Sequence, residues 1–147
     1  NPAFTTDVIV GFPGETDEYF EESYEFCRKV GFSQMHIFPY PPRPKTMAAQ
    51  MGRQINGAVA SERSDRLHQL GQEMALAYHS QFIGKEIDVL VESARDGLAK
   101  GYSAHYIPVQ FETNEALRKQ VINVKVTEAS ASEISGVINS LPTPVAL

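Results

Sequence analysis

The chain has 147 residues, 42% of them hydrophobic, which suits one packed domain or two small ones. Its net charge is −5; residues 1–83 carry seven basic and ten acidic side chains and the remainder six and eight, so neither part is a bulk-basic nucleic-acid binder and any RNA contact needs a local patch. No apolar run is long enough to span a bilayer, no basic-then-apolar opening marks a secretory signal, and the single cysteine, Cys27, excludes an internal disulfide or a cysteine-rich metal site.

Residues 5–10, Thr-Thr-Asp-Val-Ile-Val, are rich in β-branched side chains and predict a strand ending at Gly11. Gly11-Phe12-Pro13-Gly14 is a turn, and Glu15 to Lys29 reads as a helix. Asp17, Glu18, Glu21 and Glu22 crowd its start, Arg28 and Lys29 its end, and Gly31 is placed to cap it. Phe20, Tyr24, Cys27 and Val30 recur about once per turn and predict a buried stripe. Met35 to Phe38 reads as a second strand, completing a βαβ unit whose strands run parallel. One such unit cannot cover both faces of its sheet. Together with an opening at Asn1 without a methionine, this makes the chain read as a piece of a longer protein.

Pro39-Tyr40-Pro41-Pro42-Arg43-Pro44 excludes helix and sheet interior and predicts a stiff loop leaving the strand end. Residues 47–57 are expected to be loop with a short helical turn. Val59 to about Phe82 reads as a long amphipathic helix with Val59, Leu67, Leu70, Met74, Ala77 and Tyr78 on its apolar side, and Arg63, Arg66 and His68 on or near its polar face. From Gly84 the period changes to two. Ile87, Val89 and Val91 alternate with neighbours facing the other way, and further strand candidates follow at 102–111, 121–126 and 133–138. Four or five short strands in this space predict a small β-barrel. The expected layout is α/β plus all-β: residues 1–83, residues 84–140, and a tail at 141–147.

Several side chains are candidates for chemistry. Asp7 sits in a β-branched strand, where it either orients a ligand or basic group, or serves as a structural ion pair or solvated strand end. Gly11 stands at a strand–helix junction, where open backbone groups meet ligands, although a tight βα turn needs glycine for its dihedrals alone. The segment fits neither a phosphate loop nor a dinucleotide fingerprint. Arg43, held between Pro42 and Pro44, suits bidentate contact with carboxylate or phosphate, or is a surface arginine. Tyr40 either stacks on an adenine or covers the strand ends. Cys27 reads as a core residue, His36 as a packed histidine, and Glu21, Glu22 and Glu25 as a solvated helix face. His68, His79 and His105 lack metal-ligand spacing. In the β-rich part Lys85, Arg95, Lys100, Arg118, Lys119 and Lys125 are candidate phosphate contacts, with Tyr102 and Tyr106 as candidate base-stackers.

Thr6-Asp7-Val8-Ile9-Val10-Gly11-Phe12-Pro13-Gly14-Glu15-Thr16 closely resembles the fifth-strand segment of the radical-SAM tRNA methylthiotransferases. His36 to Thr46 resembles their sixth-strand segment, with Pro41 in place of a serine and Lys45 in place of a glycine of the family's Tyr-Ser-Pro-Arg-Pro-Gly-Thr. Gly84 to Glu92 and Gly101 to Val109 resemble the TRAM domain, the RNA-binding module of these enzymes, with Ser103 and His105 departing from its Gly-x-Thr-x-Asn-Tyr segment.

The resemblance implies the C-terminal part of a partial (β/α) barrel, followed by a TRAM-type barrel. It places Asp7, Gly11, Pro39 and Tyr40 toward S-adenosylmethionine, and turns Arg43, Lys85, Arg95, Lys100, Arg118 and Lys119 toward tRNA at the anticodon stem-loop. Family members cleave S-adenosylmethionine with a [4Fe–4S] cluster held by Cys-x3-Cys-x2-Cys, and the radical activates an adenine carbon for sulfur insertion. Nothing in this chain matches that cysteine motif, so the chain alone is expected to be inactive, completed by N-terminal domains of the same protein. A cytoplasmic location without membrane attachment, and self-association of the piece, are further expectations. His-x-Phe-Pro-Tyr at 36–40 looks most like the branch acting on threonylcarbamoyladenosine, ahead of the isopentenyladenosine branch; the ribosomal-protein branch fits least. Two other readings stand beside it: a non-catalytic RNA-binding or interaction module, and a radical-SAM enzyme of another reaction type.

Overall fold

The computed structural model describes residues 2–140; the tail expected at 141–147 lies outside the described residues. The chain forms two compact units. One is Phe4–Met74; the other runs from Ala75 onward and includes Ala3.

The first unit is built on the βαβ motif. Strand β1 (Thr5–Val10) pairs in parallel with β2 (Gln34–Pro39), from Thr5 opposite Gln34 to Val10 opposite Pro39. Helix α1 (Asp17–Val30) makes the crossover. Thr16 caps it by accepting from the Tyr19 amide at 3.2 Å, and Gly31, with φ 70°, ends it by donating to the Cys27 carbonyl. Phe20 and Cys27 are buried as the stripe requires, but Val30 is 41% exposed, because the helix ends there and its last turn overhangs the core. After a short helix α2 (Met47–Gln50), the long helix α3 (Gly57–Ser80) begins. Val10, Phe20, Cys27, Leu67 and Leu70 make one core, with Val8, Met35 and Ile37 packed against it.

Helices α1 and α3 pack on one side of this sheet. The opposite face carries Thr5, Asp7, Ile9, Gln34, His36 and Phe38, all exposed. Ile9 is 53% and Phe38 49% exposed, a large apolar area on a two-stranded sheet.

The second unit is a closed barrel in the order β3-β4-β5-β7-β6. Its strands are β3 (Glu86–Arg95), β4 (Leu98–Ser103), β5 (Pro108–Glu112), β6 (Val121–Ala129) and β7 (Ile134–Ser140). The alternation in β3 is realised: Ile87, Val89 and Val91 face inward while Glu86, Asp88 and Leu90 face out. Ala99, Val109, Phe111, Ile122, Val124, Val126 and Ile134 complete the interior, and Tyr78 and Phe82 pack against it. Asp96 and Gly97, both at positive φ, make the tight turn between β3 and β4.

The run expected at 102–111 is two strands rather than one. Ser103 is buried and its hydroxyl accepts from the amides of His105 and Ile107, folding residues 104–107 into a turn. A hydroxyl that captures nearby backbone amides competes with strand pairing.

At Gly101 a Cβ would overlap the Leu90 carbonyl, where β3 bulges between Val91 and Ser93. Gly101→Ala is therefore expected to destabilise the barrel by about 2 kcal/mol or more, read as a lowered midpoint in urea denaturation. An unchanged midpoint would contradict this close approach.

Candidate functional site

The carboxyl ends of β1 and β2 open onto a cavity of about 420 Å³ lined by Gly11, Pro39, Tyr40, Pro42, Ile55 and Ala60, with Gln54, Ser61 and Ser64 adding polar groups. In parallel α/β structures ligands bind beyond the strand ends, because loops there are free to diverge while the strands hold them fixed. The register continues one step past the sheet, where the Tyr40 amide donates to the Val10 carbonyl at 2.8 Å. That bond places Tyr40 beside Gly11. Its ring meets Phe12 edge-on at 5.2 Å, and its hydroxyl is buried without a hydrogen-bond partner among the described residues. A buried hydroxyl in this state leaves a hydrogen bond unmade, which a ligand or ordered water in the cavity would supply.

The opening turn is held by a network centred on Arg63. This side chain is only 5% exposed, although the pattern of α3 assigned it to the polar face. Nη1 donates to Glu15 Oε2 at 2.6 Å and to the Glu15 carbonyl at 3.2 Å, and Nη2 donates to Asp17 Oδ1 at 2.6 Å. Burial opposes the Arg63 charge, and the hydrogen bonds to Asp17 and Glu15 more than offset that, so its pKa lies above the ordinary arginine value. The same Glu15 oxygen accepts the Gly11 amide at 2.9 Å. The buried stripe runs Leu67, Leu70, Met74, Tyr78; one turn back from Leu67 it lands on Arg63. That spacing, with Glu15 and Asp17 beside the turn, was the available signal. Arg66 adds a more exposed pair with Glu21 and stacks over Phe20 at 4.9 Å and Tyr24 at 5.1 Å.

Of the residues expected toward S-adenosylmethionine, Gly11, Pro39 and Tyr40 share this cavity. Gly11 serves it through its backbone: φ is 73°, its amide is engaged by Glu15, and a Cβ would lie 2.7 Å from that of Ala60. Asp7 does not line it. Asp7 is exposed on the open sheet face, directly across from His36, so the strand places a solvated carboxylate there rather than a buried one. His36 is exposed too, not packed. Arg43 is exposed in the proline-rich loop; its carbonyl accepts from Thr46, and among the described residues its guanidinium forms no ion pair.

On the barrel, all of Lys85, Arg95, Lys100, Arg118, Lys119 and Lys125 are exposed. Arg95, Lys100 and Lys119 gather around the second half of β3: Lys100 pairs in register with Ser93, Lys119 donates its amide to the Val91 carbonyl, and Arg118 precedes it. Beside them Leu90, Tyr102 and Val121 are cross-strand neighbours with half-exposed side chains. Lys85 lies at the opposite end of β3. Among the described residues no group of three or more His, Cys, Asp or Glu is placed to hold a metal ion, and no helix is long and apolar enough to cross a membrane. Cys27 is buried, and burial raises its thiol pKa, which fits a core residue.

A parallel βαβ unit with a cavity beyond its strand ends, followed by a closed five-stranded barrel, defines an α/β plus all-β chain, and the barrel fits a TRAM domain. No family model matches the chain. It is 38% identical over 132 residues to the threonylcarbamoyladenosine tRNA methylthiotransferase MtaB of Bacillus subtilis, covering 86% of this chain and 29% of that protein. It is 39% identical over 136 residues to the tRNA-2-methylthio-N(6)-dimethylallyladenosine synthase of Caldicellulosiruptor saccharolyticus, covering 91% and 29%. The same-named enzyme of Bacillus mycoides is 37% identical over 148 residues, covering 99% and 29%. The chain belongs to the tRNA methylthiotransferase family, and it spans under a third of the length of these relatives.

Replacing Arg63 leaves Glu15 buried without its cation. Arg63→Met is expected to cost about 3 kcal/mol in urea denaturation, and Arg63→Lys to recover only part of it, since a point charge cannot bridge Glu15 and Asp17 as the guanidinium fork does. Full recovery by lysine would show that the fork geometry is dispensable.

Proposed function

We propose that this chain forms the strand-end wall of an S-adenosylmethionine site and the RNA-binding barrel of a tRNA methylthiotransferase. In this reading the βαβ unit is the C-terminal part of a radical-SAM barrel. The reaction inserts a methylthio group into a hypermodified adenosine next to the anticodon. Threonylcarbamoyladenosine is the favoured substrate on the His36–Tyr40 segment; relatives of both adenosine branches match at 37–39% identity, so the dimethylallyladenosine branch is the second reading.

The observation that carries the proposal is the buried, unpartnered Tyr40 hydroxyl at the strand-end cavity. A ligand combining an apolar face with hydrogen-bonding edges fits that lining, as the adenosine of S-adenosylmethionine does. Tyr40 would hold it by hydroxyl and ring, Gly11 and Pro39 would shape the wall, and Asp7 on the open face would meet groups beyond it. When bound, S-adenosylmethionine supplies the radical and the methyl group, and the protein's part is orientation and exclusion of water. The residues present do not fit an iron–sulfur cluster, which needs several thiolates, whereas the one cysteine is the buried Cys27. The isolated chain is accordingly read as inactive.

On the barrel, Arg95, Lys100, Arg118 and Lys119, with Lys85 apart from them, are read as phosphate contacts to the anticodon stem-loop, and Arg43 as a further RNA contact. A tRNA substrate places the protein in the cytoplasm. The exposed sheet face with Ile9 and Phe38 supports self-association of the 147-residue chain, or cover by further domains of the same polypeptide.

Titration with S-adenosylhomocysteine tests the site. Amide shifts in the NMR spectrum are expected at Gly11, Tyr40, Ser61 and Ser64, weakened about tenfold in apparent affinity by Tyr40→Phe, the order of one buried hydrogen bond. No shift at millimolar ligand, or shifts confined to the barrel, would refute it. In light scattering the chain is expected above the monomer mass; a monodisperse monomer would remove the self-association reading.

A further inference from the structure

The barrel displays one aromatic ring that the fold does not use. Tyr106 is 83% exposed and sits at φ 58°, a left-handed conformation that side chains other than Gly and Asn adopt at a cost. The turn that carries it is firmly held. Tyr106 donates its amide to the Ser103 carbonyl at 3.0 Å, Ser103 donates to the Ile107 carbonyl at 3.1 Å, and Ser103 and Ile107 are buried on either side. The backbone beneath the ring is thus held in place and the ring is directed to solvent, without help to the core. Strained, pre-set side chains of this kind concentrate at ligand contacts.

Its surroundings suit an anion. The neighbouring His105 packs edge-on against Phe82 at 4.9 Å, and the Lys85 ammonium lies 5.5 Å from the same ring. Among the described residues Lys85 forms no ion pair, and the His105 ring nitrogens have no hydrogen-bond partner. Ser103 pairs with Val89, so this cluster lies at the first half of β3, away from the basic group around Val91 and Ser93.

We propose that Tyr106, His105 and Lys85 form a separate site for one unpaired nucleotide of RNA, with the base stacked on Tyr106 and the phosphate held by Lys85 and His105. This rests on the reading of the barrel as RNA-binding. It assigns Lys85, which the fold separates from the other cations, a set of partners of its own. Aromatic stacking tolerates any base, so the site selects unpaired nucleotides rather than a sequence.

The test uses the 147-residue chain and a short fluorescein-labelled oligouridylate, followed by fluorescence anisotropy at low salt. Tyr106→Gly removes the ring and suits the left-handed backbone, so the variant keeps its fold. It is expected to weaken binding about tenfold, while Tyr106→Phe stays within about twofold of the parent. Lys85→Gln is expected to reduce the slope of log affinity against log salt by about 0.7. Binding by Tyr106→Gly equal to the parent, with loss only on changing Lys100 and Lys119, overturns this site and leaves the RNA reading standing. A duplex that competes as well as the single strand also overturns it. No binding by the parent chain at low salt removes both.

Discussion

The buried charge of Arg63 is the constraint on which the strand-end region depends. A guanidinium at this depth is tolerated only when its donors are matched by acceptors and its charge by carboxylates. Glu15 and Asp17 supply both, and the Phe20 ring lies 5.4 Å from the guanidinium carbon. Glu15 then accepts the Gly11 amide as well, so one carboxylate joins the exit of β1 to α3. The cavity follows from that junction. Gly11 and Tyr40 stand on one side, Ala60, Ser61 and Ser64 on the other, and the absence of a Cβ at Gly11 sets how closely the helix approaches. A loop positioned by a buried ion pair keeps its shape without a ligand, and pre-organisation of this kind lowers the ordering cost of binding.

Most elements were legible because local and tertiary signals agree. β1 is β-branched and bounded by a glycine, α1 carries acid at its start, base at its end and Gly31 as cap, and β3 alternates with period two. What sequence reasoning missed has physical causes. Arg63 was assigned to the polar face because charge suggests solvent, yet the stripe through Leu67 places it inward and two acids from another element meet it. For Asp7 the sequence left a ligand-orienting role, an ion pair and a solvated strand end open together, and only the fold shows that residues 5, 7 and 9 share an exposed face. The break between β4 and β5 came from Ser103, whose side chain outcompetes the ladder for two amides. Each depends on which elements meet in space, and strand alternation alone does not settle that.

Bulk charge proved a poor guide to the barrel surface. Eight acidic residues outnumber six basic ones from Gly84 onward, yet the register sorts them. Glu86 stands across from Lys125 in register, and Asp88 accepts from Asn123, which in turn accepts from Asn139. Among the described residues none of the barrel cations forms an ion pair. The exposed Glu92 and Asp96 lie in the same stretch, so acid and base alternate there, and screening limits each charge to its neighbourhood at physiological salt.

The side chains of this chain set the kind of chemistry it supports. Its notable groups are an unsatisfied phenol, exposed rings, unpaired cations and a rigid turn, all of which act by position and electrostatics. A thiolate set for electron transfer needs several accessible cysteines whose pKa is lowered by nearby positive charge. Cys27 is the reverse: single, buried, with its thiol pKa raised by that burial. The opening segment from Thr5 to Thr16 is thus a scaffold for the strand-end cavity. It fixes Gly11 through Glu15, brings Tyr40 beside it through the Val10 carbonyl, and leaves the tyrosine hydroxyl as the one buried side-chain polar atom lacking a partner among the described residues.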